Sequence, residues 1–187
     1  MVEPIGYLIP EFPGQTHMFL WRERQALLEL GIKAELVSTR RPPAAIMSHS
    51  WAAAAQAETE YLLPFTPRDF TAALWLLLTL GFTRWRMLFS ILAQAEAPSL
   101  VARLRLVLML LPAAKLARIA EVRKWRHLHV HSCADAANMA MLCSALSGLP
   151  YSLTLHGPTL ELYGLNQKQK WRRSRFATVI SRKLYEH

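Results

Sequence analysis

Hydrophobic positions along the chain fall into short solid runs separated by longer periodic stretches. Ile5-Gly6-Tyr7-Leu8-Ile9 is an apolar run that ends at Pro10 and reads as a buried first strand. A Pro/Gly loop, Pro10 to Gln15, leads into a helix that Thr16 can cap, with Phe19, Leu20, Ala26, Leu27 and Leu30 as its apolar stripe. Gly31 stands just past the last turn, where a glycine closes a helix. Ala34, Leu36 and Val37 make the next strand, so the chain opens as a βαβ unit. Arg40 to Ser50 is a Pro-rich connector, and Glu60 to Leu63 a brief third strand before Pro64. From Pro67 to about Arg126 the pattern is helical and very apolar. Gly81 separates two helices there, Pro98 opens another, and Pro112 kinks or breaks it. His127 to His131 is a fourth strand, Ala134 to Leu146 a helix that ends before Gly148, and Tyr151 to Leu155 a fifth strand. A basic helix, Asn166 to Ser174, and a last strand, Phe176 to Ile180, follow, with Ser181 capping a final helix. Strands alternating with helices predict an α/β domain: a Rossmann-like parallel sheet flanked by helices over residues 1–187, carrying residues 67–126 as an apolar, basic helical insertion.

Composition narrows the class. With 187 residues, 52% of them hydrophobic, the chain can bury a core and is no disordered tail. Cys133 and Cys143 are too few for a disulfide framework and match no zinc spacing, so they read as buried thiols in a reducing compartment. No cationic segment precedes Ile5, which argues against a secretory signal. The uncharged run from Phe70 to Thr83 is shorter than the roughly 20 residues of a spanning helix. These features point to the cytoplasm, with the inner face of the membrane within reach. The net charge of +9 is concentrated in residues 103–126 and 168–183, which favours anionic partners such as acidic lipid headgroups or phosphates. Nucleic acid fits the charge, but no recognisable module for it is present. The bland reading of each basic residue is a solvated helix face. Trp85, Met87, Leu88 and Phe89, then Leu104, Val107 and Leu108, interleave with arginines, a pattern shared by a helical layer over a sheet and by a surface resting on an anionic bilayer.

Candidate chemistry gathers at strand ends. His156 and Gly157 stand where the fifth strand runs out, and ligands of open α/β sheets bind outside the carboxyl ends of the strands. His156 is therefore a candidate for ligand contact, against the alternative of a solvated strand-end histidine, and Gly157 allows close backbone approach. His127, His129 and His131 share one strand face. At ~3.3 Å per residue they spread along the strand rather than converge, so no metal site is read from them. Only His131, followed by Ser132, reaches the carboxyl end. His131-Ser132-Cys133-Ala134-Asp135 holds the ingredients of a hydrolytic triad, but triads are assembled in space and no Gly-x-Ser-x-Gly elbow is present. Asp135 fits the first turn of the following helix instead. The loop Phe12-Pro13-Gly14-Gln15-Thr16 precedes a helix start, where open amides favour anions. No Gly-x-Gly-x-x-Gly fingerprint occurs.

These segments together resemble the N-terminal half of a family 4 glycosyltransferase of the bacterial exopolysaccharide and colanic-acid type. The resemblance rests on Ile5-Gly6-Tyr7-Leu8, Glu11 to Phe19 and Trp21-Arg22-Glu23. It continues through His129-Val130-His131-Ser132, Tyr151 to Gly157, Tyr163-Gly164, Lys170-Trp171-Arg172 and Phe176 to Ser181, while residues 44–125 match only in character. Pro158-Thr159 stands where many relatives have a second histidine, Glu161-Leu162-Tyr163 where Asp-Ile-Tyr is common, and His17 where glutamate is frequent. The resemblance implies the GT-B architecture of two facing Rossmann-like domains. This half would hold a glycan or lipid-linked acceptor, and a C-terminal half with an acidic motif, beyond this chain, would hold the nucleotide-sugar. It implies retaining transfer with no metal or other cofactor, the nucleotide-sugar serving as co-substrate. His156 would contact the donor sugar and Gly14 would lie near its phosphates. Gln15, Thr16, His131, Ser132 and Gly157 complete the expected substrate-binding side. Residues 1–187 alone are then expected to transfer no sugar. The rival expectation is a non-catalytic peripheral membrane or anion-binding module, truncated or dependent on a partner half.

Overall fold

The computed structural model describes residues 4–43, 49–157 and 164–186. The chain runs β1 (Pro4–Glu11), α1 (Met18–Glu29), β2 (Lys33–Arg40), α2 (Ala52–Glu58), β3 (Glu60–Tyr61), α3 (Pro67–Leu78), α4 (Phe82–Ala93), α5 (Leu100–Leu108) and α6 (Leu110–Val122). It continues through β4 (Leu128–Val130), α7 (Asp135–Ser147), β5 (Tyr151–Leu155), α8 (Gln167–Arg173), β6 (Ala177–Val179) and α9 (Arg182–Tyr185). The described strands form one six-stranded sheet in the order β3-β2-β1-β4-β5-β6, every neighbouring pair parallel. This is the doubly wound Rossmann order, whose direction reverses between β1 and β4.

Register sorts the side chains onto two faces. Leu8 aligns with Val37 and Val130, and Val130 with Leu153; these pack under α6 and α7. Helix α7 is buried from Ala136 through Cys143 and again at Ala145 and Leu146, because it lies in the middle of that layer. The opposite face begins apolar, with Leu36 beside Tyr7 under α1 and α2, and turns polar as the row continues through His129 and Ser152. That switch from packing to polar side chains occurs where the strand order reverses.

Several boundaries differ from the sequence reading for identifiable reasons. Thr16 does not cap α1: it sits exposed in a turn, and His17 occupies the cap position without a side-chain bond to the helix. The α1 stripe is narrower than expected, since Leu20 is buried while Phe19, Ala26 and Leu30 are exposed. Gly31 and Gly148 close α1 and α7 with φ of +82° and +83°, as read. The break near Pro112 falls earlier, at Met109, and Pro112 sits in the first turn of α6. A proline there needs no amide partner, but its ring would clash with the carbonyl four residues back, so the helix restarts instead of continuing. Pro98 lies just outside α5, which Ser99 caps by accepting the Ala102 amide. Ser181 caps α9 through the Leu184 amide. Helix α2 was not anticipated. Leu88, read with the membrane-facing group, is buried at 1% exposure in the helical layer. The second-histidine position Pro158-Thr159 and the segment Glu161-Leu162-Tyr163 lie outside the described residues.

Candidate functional site at the sheet reversal

The carboxyl ends of β1, β4 and β5 bring the sequence-read residues together. His131 follows β4, and His156 follows β5; the His131 Nδ1 and His156 Nε2 atoms meet at 3.0 Å. Tyr7 of β1 lies against His131 with ring centroids 4.3 Å apart, His129 meets His131 edge-on at 4.7 Å, and Phe19 of α1 lies 5.1 Å from His156. His131 is buried, at 6% exposure, and His156 half-buried, so His156 is the more accessible ring of the pair.

The other two histidines of the row serve the sheet. His129 engages the hydroxyls of Ser152 at 2.7 Å and Thr154 at 2.9 Å, and His127 also reaches Ser152 Oγ at 2.7 Å. The aligned register of His129 with Ser152 makes these cross-strand pairs, consistent with His131 alone reaching the strand end. Glu23, His129 and His131 each offer a ligand atom within 4.8 Å of the others. Both His129 nitrogens already hold hydroxyls, so this trio would have to give up a cross-strand bond before gripping an ion.

Burial pushes the His131 imidazole down to about 2, with repulsion from His129, His156 and His17 adding to it. His129 is pushed down to about 4, first by burial and then by His127 and His156. Burial also lowers His156, with His17 adding to the shift. These rings are therefore neutral at neutral pH, and one nitrogen of each carries the proton. His131 Nε2 and Tyr7 Oη are buried and have no hydrogen-bond partner at bonding geometry among the described residues. A stranded N–H donor is rarer than a stranded acceptor, so the hydrogen-bond pattern assigns the shared proton to His131 Nδ1. His131 then donates to His156 Nε2, and His156 carries its own proton on Nδ1. Burial raises the Tyr7 phenol well above its ordinary range, and the Glu23 charge reaching over from α1 raises it further.

The loop after β1 faces this pair but is more occupied than expected. Gly14 is buried, its amide donates to His17 Nδ1 at 3.1 Å, and a Cβ there would stand 3.0 Å from the same ring. The amides of Leu20 and Trp21 both return to the His17 carbonyl, leaving Met18 and Phe19 at the open start of α1. Gln15 and Thr16 are exposed. Ser132 is buried and its Oγ accepts the Ala134 amide at 3.0 Å, shaping the turn into α7. Gly157 is half-buried beside His156. Lys170, fully buried, donates through Nζ to the Cys133 carbonyl and so pins the turn that follows His131.

Tyr7, Phe19, Glu23, Ser152 and Thr154 belong to the site and were not singled out from the sequence. For Tyr7 and Ser152 the signal was strand register, which sets both beside His129 and is invisible without the sheet; Phe19 and Glu23 reach the site from α1. Among known proteins, no family model, no curated protein and no solved structure matches this chain.

Proposed function

We propose that this domain is the acceptor-side half of a retaining glycosyltransferase, which moves a sugar from a nucleotide-sugar to a glycan or lipid-linked acceptor. The carrying observation is the His131–His156 pair at the sheet reversal, opposite the loop that starts α1. A neutral imidazole whose tautomer is set by a buried neighbour is an oriented hydrogen-bond donor, suited to a sugar hydroxyl. It is poorly suited to act as a general acid at neutral pH, because its proton-binding affinity is lowered. The open amides at the start of α1 suit phosphate charge. In this reading His156 binds the donor sugar, His131 positions it, and the nucleotide is held by a second half.

The test is turnover by His156→Ala in a protein that includes the donor-binding half. Among the described residues His156 makes a side-chain hydrogen bond to His131 and ring contacts with Phe19 and His131, so its truncation costs about 1–2 kcal/mol of stability. Turnover should fall roughly a hundredfold. His127→Ala should leave turnover near normal. Near-normal turnover in the His156 variant would remove this residue from the reaction.

The second reading is a non-catalytic peripheral membrane or anion-binding module. The large exposed apolar side chains on α3, α4 and α5, beside a surplus of basic residues, favour it. It takes precedence if the two-half protein transfers no sugar from any nucleotide-sugar in a broad panel.

A further inference from the structure

A cavity of about 670 Å³ opens at the opposite, amino-terminal end of the strands, between the α3–α4 turn, α6 and the residues leading into β4 and β5. Arg84, Arg118, Lys124 and Arg126 line it, with Glu121 as the one carboxylate among the described lining residues. Nearby, Lys115 pairs with Asp69, and Arg123 with Glu35 and Glu60. Arg118 and Lys124 are exposed and make no ion pair among the described residues. Arg84 is held in place by donating one N–H to the Leu146 carbonyl at 2.6 Å, leaving its remaining donors beside the bare backbone of Gly148. Arg84, Arg118 and Lys124 against Glu121 therefore leave the cavity net positive, with Arg84 as its anchored cation.

Thr79, Leu80 and Gly81 of the α3–α4 turn line the cavity, and the helix ends that flank this turn carry Trp75, Leu78 and Phe82, exposed at 68%, 72% and 82%. Helices α3 and α4 meet there at a bend of 106°, and no single described helix is long and apolar enough to cross a membrane. A cationic cavity answers a phosphate, and exposed apolar side chains, a tryptophan among them, on the helix ends flanking one of its walls answer hydrocarbon. A free anion would use only the first of these.

We propose that this cavity holds the phosphate headgroup of an anionic membrane lipid while Trp75, Leu78 and Phe82 dip into the surrounding bilayer. The site lies at the opposite end of the strands from the His131–His156 pair, so it does not rest on the sugar-transfer reading. Polybasic contacts of this kind contribute about 1 kcal/mol per basic residue near the surface, roughly a fivefold change in partition each.

The experiment measures co-sedimentation of the purified chain with phosphatidylcholine vesicles, with and without phosphatidylglycerol. Wild type should prefer the anionic vesicles by on the order of tenfold or more. The double variant Arg118→Glu/Lys124→Glu should lose that preference with its melting temperature kept. Arg172→Glu/Arg175→Glu makes the same charge change on exposed residues elsewhere and should retain most of the preference. Trp75→Ser/Phe82→Ser should weaken binding to both vesicle types. Equal loss in the two charge-reversed variants would mean diffuse attraction and overturn the cavity. Binding of inorganic phosphate that depends on Arg118 and Lys124, without vesicle binding, would overturn the lipid assignment in favour of a soluble anion. Failure of wild type to bind either vesicle would overturn it in favour of a protein partner or a solvated surface.

Discussion

Replacing His131 by phenylalanine should remove much of an acid sensitivity that the buried histidine row builds into the fold. The unfolded chain carries this imidazole at about its ordinary 6.5, whereas the folded chain holds it down at about 2. Between those values the unfolded state binds a proton that the folded state refuses. Stability is therefore full above pH 6.5 and falls as pH drops below it, by about 1.4 kcal/mol per pH unit for one such group. At about pH 5 the loss from His131 is on the order of 2 kcal/mol. His129, held near 4, adds a loss of similar order over the same interval. His17, His127 and His156 are lowered too and act in the same direction. Glu23, raised by burial, acts against them. Glu35 and Asp69 are lowered carboxylates whose contribution is lost mainly in more acid solution, and Glu23 is common to wild type and variant, so the difference between them from about pH 7 to pH 5 reports His131. Phenylalanine keeps the ring contacts with Tyr7 and His129, discards the stranded Nε2, and costs about 1 kcal/mol for the lost bond to His156. Urea melts across this range should show wild type losing about 2 kcal/mol more than His131→Phe. Parallel stability curves for the two proteins would refute the argument, because they would mean that His131 is protonated as readily in the fold as outside it.

Gly6→Ala should lower stability by about 1–3 kcal/mol, seen as a reduced melting temperature. The added methyl would stand 2.4 Å from the Trp125 ring, which cannot retreat without straining its 2.9 Å bond to Glu35; an unchanged melt would show slack that the packing denies. Thr66→Ala removes the hydroxyl half of the capping box with Asp69 at the start of α3 and should cost about 1 kcal/mol by the same melt, with no loss counting against the box. Burial pushes the Cys133 and Cys143 thiols up to about 11 and 12, so iodoacetamide near pH 8 should label neither until the chain unfolds; rapid native labelling would contradict their burial.

The strands and most helices were legible because both faces of a covered parallel sheet demand solid apolar runs, and Leu8, Val37, Val130 and Leu153 supply them. Helix α2 escaped notice because its alanines carry no strong period next to Trp51. The first cap was misplaced by one residue because Thr16 is the better capping side chain by type, while the Gly14–His17 turn decides where the helix begins. Three histidines in alternation announced a polar strand face. That His131 alone reaches the strand end followed from its place in the run, whereas the Ser152 and Thr154 partners of His129 depended on register across strands far apart in sequence. The Tyr7–Glu23–His131 cluster joins β1, α1 and β4, and no spacing rule links positions that meet only after the sheet forms.

Among the described residues the outer strands of the sheet are very short, two residues in β3 and three in β6. An exposed strand edge is a template for adding another chain by backbone pairing, and these edges offer almost no length on which to do so. Sheet-to-sheet growth is thus disfavoured, both as a route to aggregation and as a way of recruiting a second half. A companion domain would instead meet this one across loops and side chains. Such a joint can tilt without breaking a ladder of hydrogen bonds, leaving the width of a cleft at the sheet reversal adjustable.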